Sequence, residues 1–96
     1  MKAVKRLLWW ILVGSSGGHN RGRILNLILE KPCNANELSR VLKLDYKTVR
    51  HHLEVLQKNH LIISSIGEYG KVYFPSSMLE ENIELFKEII NKIGKK

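Results

Sequence analysis

The sequence predicts a mainly α-helical chain with one small β-hairpin, a winged helix-turn-helix with an extra helix at each end. Three observations predict this. Residues 34–59 read as two short amphipathic helices on a tight turn. Residues 60–75 read as a hairpin, and each terminus carries an apolar stripe of its own.

The two short helices follow from apolar spacing. Leu38, Val41 and Leu42 fall at i, i+3, i+4, and Tyr46, Val49, Leu53 and Leu56 at i, i+3, i+7, i+10. Each set makes a one-sided helical stripe. Asn34 is placed to cap the first helix, with Glu37 completing a capping box. Asp45 is placed to cap the second, because a carboxylate accepts an orphan N–H and suits the positive end of the helix dipole. Only Lys43 and Leu44 lie between the first helix and that cap. So short a link makes the helices cross steeply.

The hairpin follows from composition. His60–Ile66 and Lys71–Pro75 are rich in β-branched and aromatic residues, and Gly67-Glu68-Tyr69-Gly70 reads as a four-residue connection. A hairpin directly after the second helix of such a motif is a wing.

Opposite the Val49, Leu53, Leu56 stripe, the second helix presents Lys47, His51, Glu54 and Lys58, flanked by Thr48 and Arg50. Lys, Arg, Thr and His donate to base edges and phosphates. A charged helix face is also the ordinary way to meet solvent. The turn before this helix and the wing after it favour DNA.

The run LDYKTVRHHLEVLQKNHLI resembles the recognition-helix signature of the ArsR-like winged-helix regulators. The lead-in GGHNRGRILNLILEKPCNANELSRVLKLDYKTVRHHL is similar to that of small archaeal transcriptional regulators of this superfamily, and the resemblance covers roughly residues 17–75. It implies a homodimeric transcription factor whose recognition helix, residues 46–59, enters the major groove. Carried onto this chain, it makes Lys47, Thr48, Arg50 and His51 the base-facing positions. His52 is expected to support helix packing or to touch a phosphate. Arg21, Arg23, Asn36 and Tyr46 lie near helix starts, where phosphate contacts anchor such domains, and Lys71 is the basic residue of the wing. All five are expected at phosphates.

Ninety-six residues make one small domain with one modest core. Sixteen Lys and Arg against nine Asp and Glu give a net charge of +7, which favours nucleic acid or an anionic membrane surface over acidic ligands. A single cysteine excludes an internal disulfide and suits a reducing, cytoplasmic setting.

Residues 1–18 combine a basic start with the apolar run Leu7–Val13 and a Gly/Ser-rich stretch from Gly14 to Gly18. The start resembles a secretory signal, but the run is short and no small-residue cleavage motif follows. Seven apolar residues cannot span a bilayer, which takes about 20. A peripheral membrane anchor is a weaker alternative, since Trp suits the interface and Lys and Arg suit anionic headgroups. The favoured expectation is an extra helix that buries its apolar face against another chain or another helix, joined by a flexible hinge to the domain of residues 19–75.

In residues 76–96, Leu79, Ile83, Phe86, Ile90 and Ile93 are spaced 4, 3, 4, 3, a heptad seam. Met78, Leu85 and Ile89 widen it. One helix is expected here, capped by Ser76 or Ser77. Its seam, with Leu7, Leu8 and Ile11, is the expected dimer interface, because both terminal segments carry more apolar surface than a small domain leaves uncovered.

Nothing in the chain reads as enzymatic. Phosphate loop, paired carboxylates and nucleophile–base pair are absent at meaningful spacing. Cys33 sits just before the Asn34 cap, where a thiol pKa is sometimes lowered, but a lone loop cysteine is usually inert. Adjacent His51 and His52 point about 100° apart on a helix, so neither a metal nor another cofactor is expected. The function expected is sequence-specific binding of double-stranded DNA as a homodimeric regulator. The alternative is a winged-helix module for protein interaction or membrane-surface association without specific DNA binding.

Overall fold

A computed structural model describes residues 3–67 and 70–94, and of residues 93 and 94 only the backbone. The expected hairpin tip (Glu68 and Tyr69) and the side chain of Ile93 therefore lie outside the described residues. The elements run α1 (Ala3–Trp9), a π-helical turn (Trp10–Gly14), α2 (Gly18–Glu30), α3 (Ala35–Leu42), α4 (Tyr46–Lys58), β1 (Ile62–Gly67), β2 (Gly70–Pro75), α5 (Ser77–Glu81) and α6 (Ile83–Gly94). This is the expected winged helix-turn-helix with additional terminal helices.

The caps form as expected. The Asn34 side chain accepts the Glu37 N–H at 2.8 Å, and Glu37 accepts the Asn34 N–H at 2.9 Å, a complete capping box. Asp45 accepts the Lys47 N–H at 3.0 Å and starts α4. Between these helices Lys43 takes a left-handed conformation with φ 58°, and the Leu44 N–H reaches back to Ser39 O at 3.1 Å. Helix α4 ends in the same manner at His60, φ 64°: the His60 N–H bonds Gln57 O and the Leu61 N–H bonds Leu56 O. That closure turns the chain directly into β1.

The wing is a two-stranded antiparallel ladder from Ile62–Pro75 to Gly67–Gly70. Pairing thus continues through both glycines and leaves a two-residue connection, not the expected four. Gly70, the first paired residue after it, sits at φ 108°, a conformation that favours glycine. The link between α2 and α3 adds a bridge to the wing. The Cys33 N–H donates to Tyr73 O at 3.3 Å and the Tyr73 N–H to Cys33 O at 2.8 Å.

One hydrophobic cluster joins all of these elements, from Leu8, Ile11 and Leu12 through Ile24, Leu38, Leu53 and Leu61 to Phe86 and Ile89. Val41, expected in the core stripe of α3, is instead 56% exposed, because the helix buries only its Ala35–Leu38 side deeply. The C-terminal segment is not one helix. It breaks at Asn82, whose N–H bonds Leu79 O and whose side chain bonds Met78 O. Ser76 caps α5 by accepting the Leu79 N–H at 3.1 Å, and its hydroxyl donates to His60 O at 2.8 Å.

The terminal segments pack against their own chain, where the favoured expectation is a dimer interface. Leu8, Ile11, Leu79 and Phe86 are fully buried within this single chain, so they are core residues and not free for a dimer interface. Leu7, Ile83 and Ile90 are half-buried. Residues 14–18 are not a free hinge either. Ser15 and Ser16 are held by the Arg21 side chain, and the Gly18 N–H bonds Ser15 O. Helix α2 meets the π-helical turn through Gly18, where a Cβ would strike the Leu12 backbone, and meets α6 through Gly22, where a Cβ would lie 2.7 Å from Ile90 Cδ1.

Candidate nucleic-acid interface

Helix α4 buries Val49, His52, Leu53 and Leu56 and turns Lys47, Arg50, His51, Glu54 and Lys58 outward; Thr48 is half-buried beside them. The outward set is the one its 3.6-residue period requires. At its N-terminal end, Tyr46 is 43% exposed, and its ring lies under the Arg50 guanidinium at 6.0 Å. Arg50 Nη1 also donates to the Tyr46 hydroxyl at 3.4 Å. This one-turn pairing gives a long, flexible side chain a preferred direction without removing its free donors.

A polar cleft of about 240 Å³ lies beside that pair. Asn34 and Asn36 line it from the start of α3, Tyr46 and Arg50 from α4, and Lys71 and Tyr73 from β2. Two cations, amide groups and phenol groups meet there, and no Asp or Glu among the described residues lines it. Such a cleft suits an anion, and side chains of this kind bind phosphate. The fold therefore gathers Asn36, the Tyr46–Arg50 pair and Lys71, from three separate stretches of sequence, around one opening. Asn34 and the buried Tyr73 were not among the expected site residues. The cap role of Asn34 and the strand position of Tyr73 gave no sign of it.

Arg21 and Arg23 are not brought to this cleft. Arg21 is only 4% exposed and serves the fold. Its Nε–H donates to Ile11 O at 3.0 Å, Nη2 donates to Ser15 Oγ and to Ser16 O, and Nη1 lies 3.3 Å from His52 Nδ1. These partners leave it no free face for a phosphate, and this corrects the expectation. Arg23 is half-buried and donates to Asn20 Oδ1 at 3.0 Å and to Leu42 O at 2.9 Å, tying α2 to the end of α3. His52 is a packing residue. Burial first, then Arg21 and His51, hold its pKa below the usual histidine value.

Cys33 is buried, and its thiol points to Lys31 O at 3.2 Å. Burial, with Glu37 next, pushes its pKa up, the direction of an unreactive thiol. Among the described residues no three His, Cys, Asp or Glu are grouped to hold a metal. No helix among them is long and apolar enough to cross a membrane.

Residues 19–64 match the model of the bacterial regulatory protein, arsR family. That span runs from the start of α2 into β1 and so contains the whole helix-turn-helix. The fold is similar to YodB, a transcriptional regulator from B. subtilis in its reduced form, with a TM-score of 0.72 at 16% identity over 93% of this chain and 88% of that one. It is similar to reduced HlyU from Vibrio cholerae, with a TM-score of 0.66 at 22% identity over 91% and 83%. A probable transcriptional regulator from Pseudomonas aeruginosa gives 0.69 at 22% identity over 93% and 72%. No curated protein matches the chain in sequence. Residues 19–64 thus carry an arsR-type segment, and the likenesses in structure show the winged helix-turn-helix fold.

Proposed function

We propose that this chain is a homodimeric regulator that binds double-stranded DNA sequence-specifically with α4 in the major groove. The observation that carries the reading is the joining of the exposed α4 face to the polar cleft of Asn36, Tyr46, Arg50 and Lys71, which no acid among the described residues lines. Lys47, Thr48, Arg50 and His51 face the bases. Asn36, Tyr46 and Lys71 take the phosphates of the adjoining backbone. Arg50 stands at the border of the two sets, where its fork serves a guanine edge.

The dimer forms through surface that the terminal helices leave uncovered. Trp10 is 52% exposed, and Leu7, Ile83 and Ile90 remain half-buried. A two-fold pair would set its recognition helices for half-sites about 34 Å apart.

The test is selection of bound sequences from a random DNA pool, followed by a salt titration of the best binder. The reading expects a two-fold-related consensus and an affinity that falls steeply with salt. A pool that yields no enriched sequence refutes it.

A further inference from the structure

A second cavity, of about 440 Å³, opens between the N-terminal segment and α6, away from the α4 face and within the size range of small-molecule sites. Trp9, Leu12 and Val13 form an apolar wall, while His19 and Lys92 bring nitrogen donors to the lining. No Asp or Glu among the described residues lines it. An apolar wall with a lysine and no acid disfavours a cation, and a single permanent charge is too little for a polyphosphate. A molecule with an apolar body and one negative head satisfies both features.

We propose that this cavity binds a small amphipathic carboxylate, with its apolar body against Trp9, Leu12 and Val13 and its head at Lys92, and that its occupancy is coupled to α4. The coupling follows from what stands behind the cavity. Ser15 and Gly17 also line it. Ser15 accepts a hydrogen bond from Arg21, which reaches His52 on α4. Gly17 sits so close to that histidine that a Cβ would lie 2.7 Å from His52 Cε1. An occupant that shifts Ser15 or Gly17 must therefore displace Arg21 or His52, and with them the recognition helix.

The coupling rests on the DNA-binding reading, whereas the binding does not, and the test separates them. The chain has two tryptophans, so Trp10→Phe leaves Trp9 as sole reporter on the cavity wall. Full-length protein carrying that change is titrated with sodium octanoate, octanol and octylammonium while Trp9 emission is followed. A saturable change with octanoate is expected, with affinity about tenfold weaker for octanol, weaker still for octylammonium, and about tenfold weaker for octanoate when the exposed Lys92 is changed by Lys92→Gln. Equal affinity for octanol, no effect of Lys92→Gln, or a signal that follows protein concentration instead of octanoate overturns the site. The last result would mean that a second copy fills the cavity. With the selected DNA, saturating octanoate should change affinity at least fivefold, and DNA should change octanoate affinity by the same factor. Unchanged DNA affinity overturns the coupling. Octanoate binding by a chain that binds no DNA supports the site while refuting the regulator reading.

Discussion

The Arg21 guanidinium meets Nδ1 of His52 at 3.3 Å, joining α2 to α4 through a buried polar contact. Arginine has only donors, so Nδ1 is the acceptor and the imidazole proton sits on Nε2. The contact requires neutral His52. A protonated ring would set two cations against each other inside the fold.

This pairing gives stability a pH dependence of known sign. The folded pKa of His52 is depressed, chiefly by burial and next by Arg21, below the unfolded value of about 6.5. Above that pH both states are neutral at this ring and nothing is lost. As pH falls below about 6.5 the unfolded chain takes up a proton that the folded chain refuses, so stability declines. Denaturant midpoints of the wild type and His52→Asn, whose amide oxygen replaces the acceptor, should converge between pH 7 and pH 5. A difference that is constant across that range would remove His52 as the cause.

Arg21 should behave as a core residue. Arg21→Gln strips donors from Ile11 O, Ser15 Oγ and Ser16 O and should cost roughly 3 kcal/mol, which for a domain of this size lowers Tm by roughly 10–20 °C. Lys71→Gln should leave Tm nearly unchanged and reduce the slope of log affinity against log salt by about one. A thermally silent Arg21→Gln with a reduced slope would return Arg21 to the DNA surface.

Local signals in the sequence carried over into structure wherever a short-range interaction decides conformation. The Asn34–Glu37 box, the Asp45 cap, the α4 face and the wing all form as spacing and side-chain chemistry require. What depended on distant packing was not legible. The apolar run Leu7–Val13 looks the same in sequence whether it covers a partner or its own core, and here Leu8, Ile11 and Leu12 enter the core. Arg21 carries no local mark of burial, because its partners lie up to 31 positions away. The cleft draws on three separate elements, so the meeting of Lys71 with Asn36 and Arg50 exists only in the folded chain.

The terminal segments give an assembly prediction. Light scattering at micromolar concentration should give twice 11.1 kDa, and Trp10→Ser should shift the protein toward monomer with little loss of Tm. Deleting residues 1–13 should do more than dissociate it. The cut removes Leu8, Ile11 and Leu12, each worth roughly 1.5–3 kcal/mol of burial, so loss of cooperative unfolding is expected by circular dichroism. A clean wild-type monomer, or a cooperative truncated chain, would contradict these roles.

The reading head is tested most directly by alanine substitutions measured against the selected DNA and against a scrambled duplex. Arg50→Ala and Lys47→Ala on the outward face of α4 should each cost roughly 1–3 kcal/mol on the selected site and narrow the gap to the scrambled one. Lys87→Ala, exposed on α6, should leave that gap unchanged. Equal losses for Arg50, Lys47 and Lys87 on both duplexes would show only diffuse attraction between a chain of charge +7 and DNA, and would contradict α4 as a sequence-reading helix.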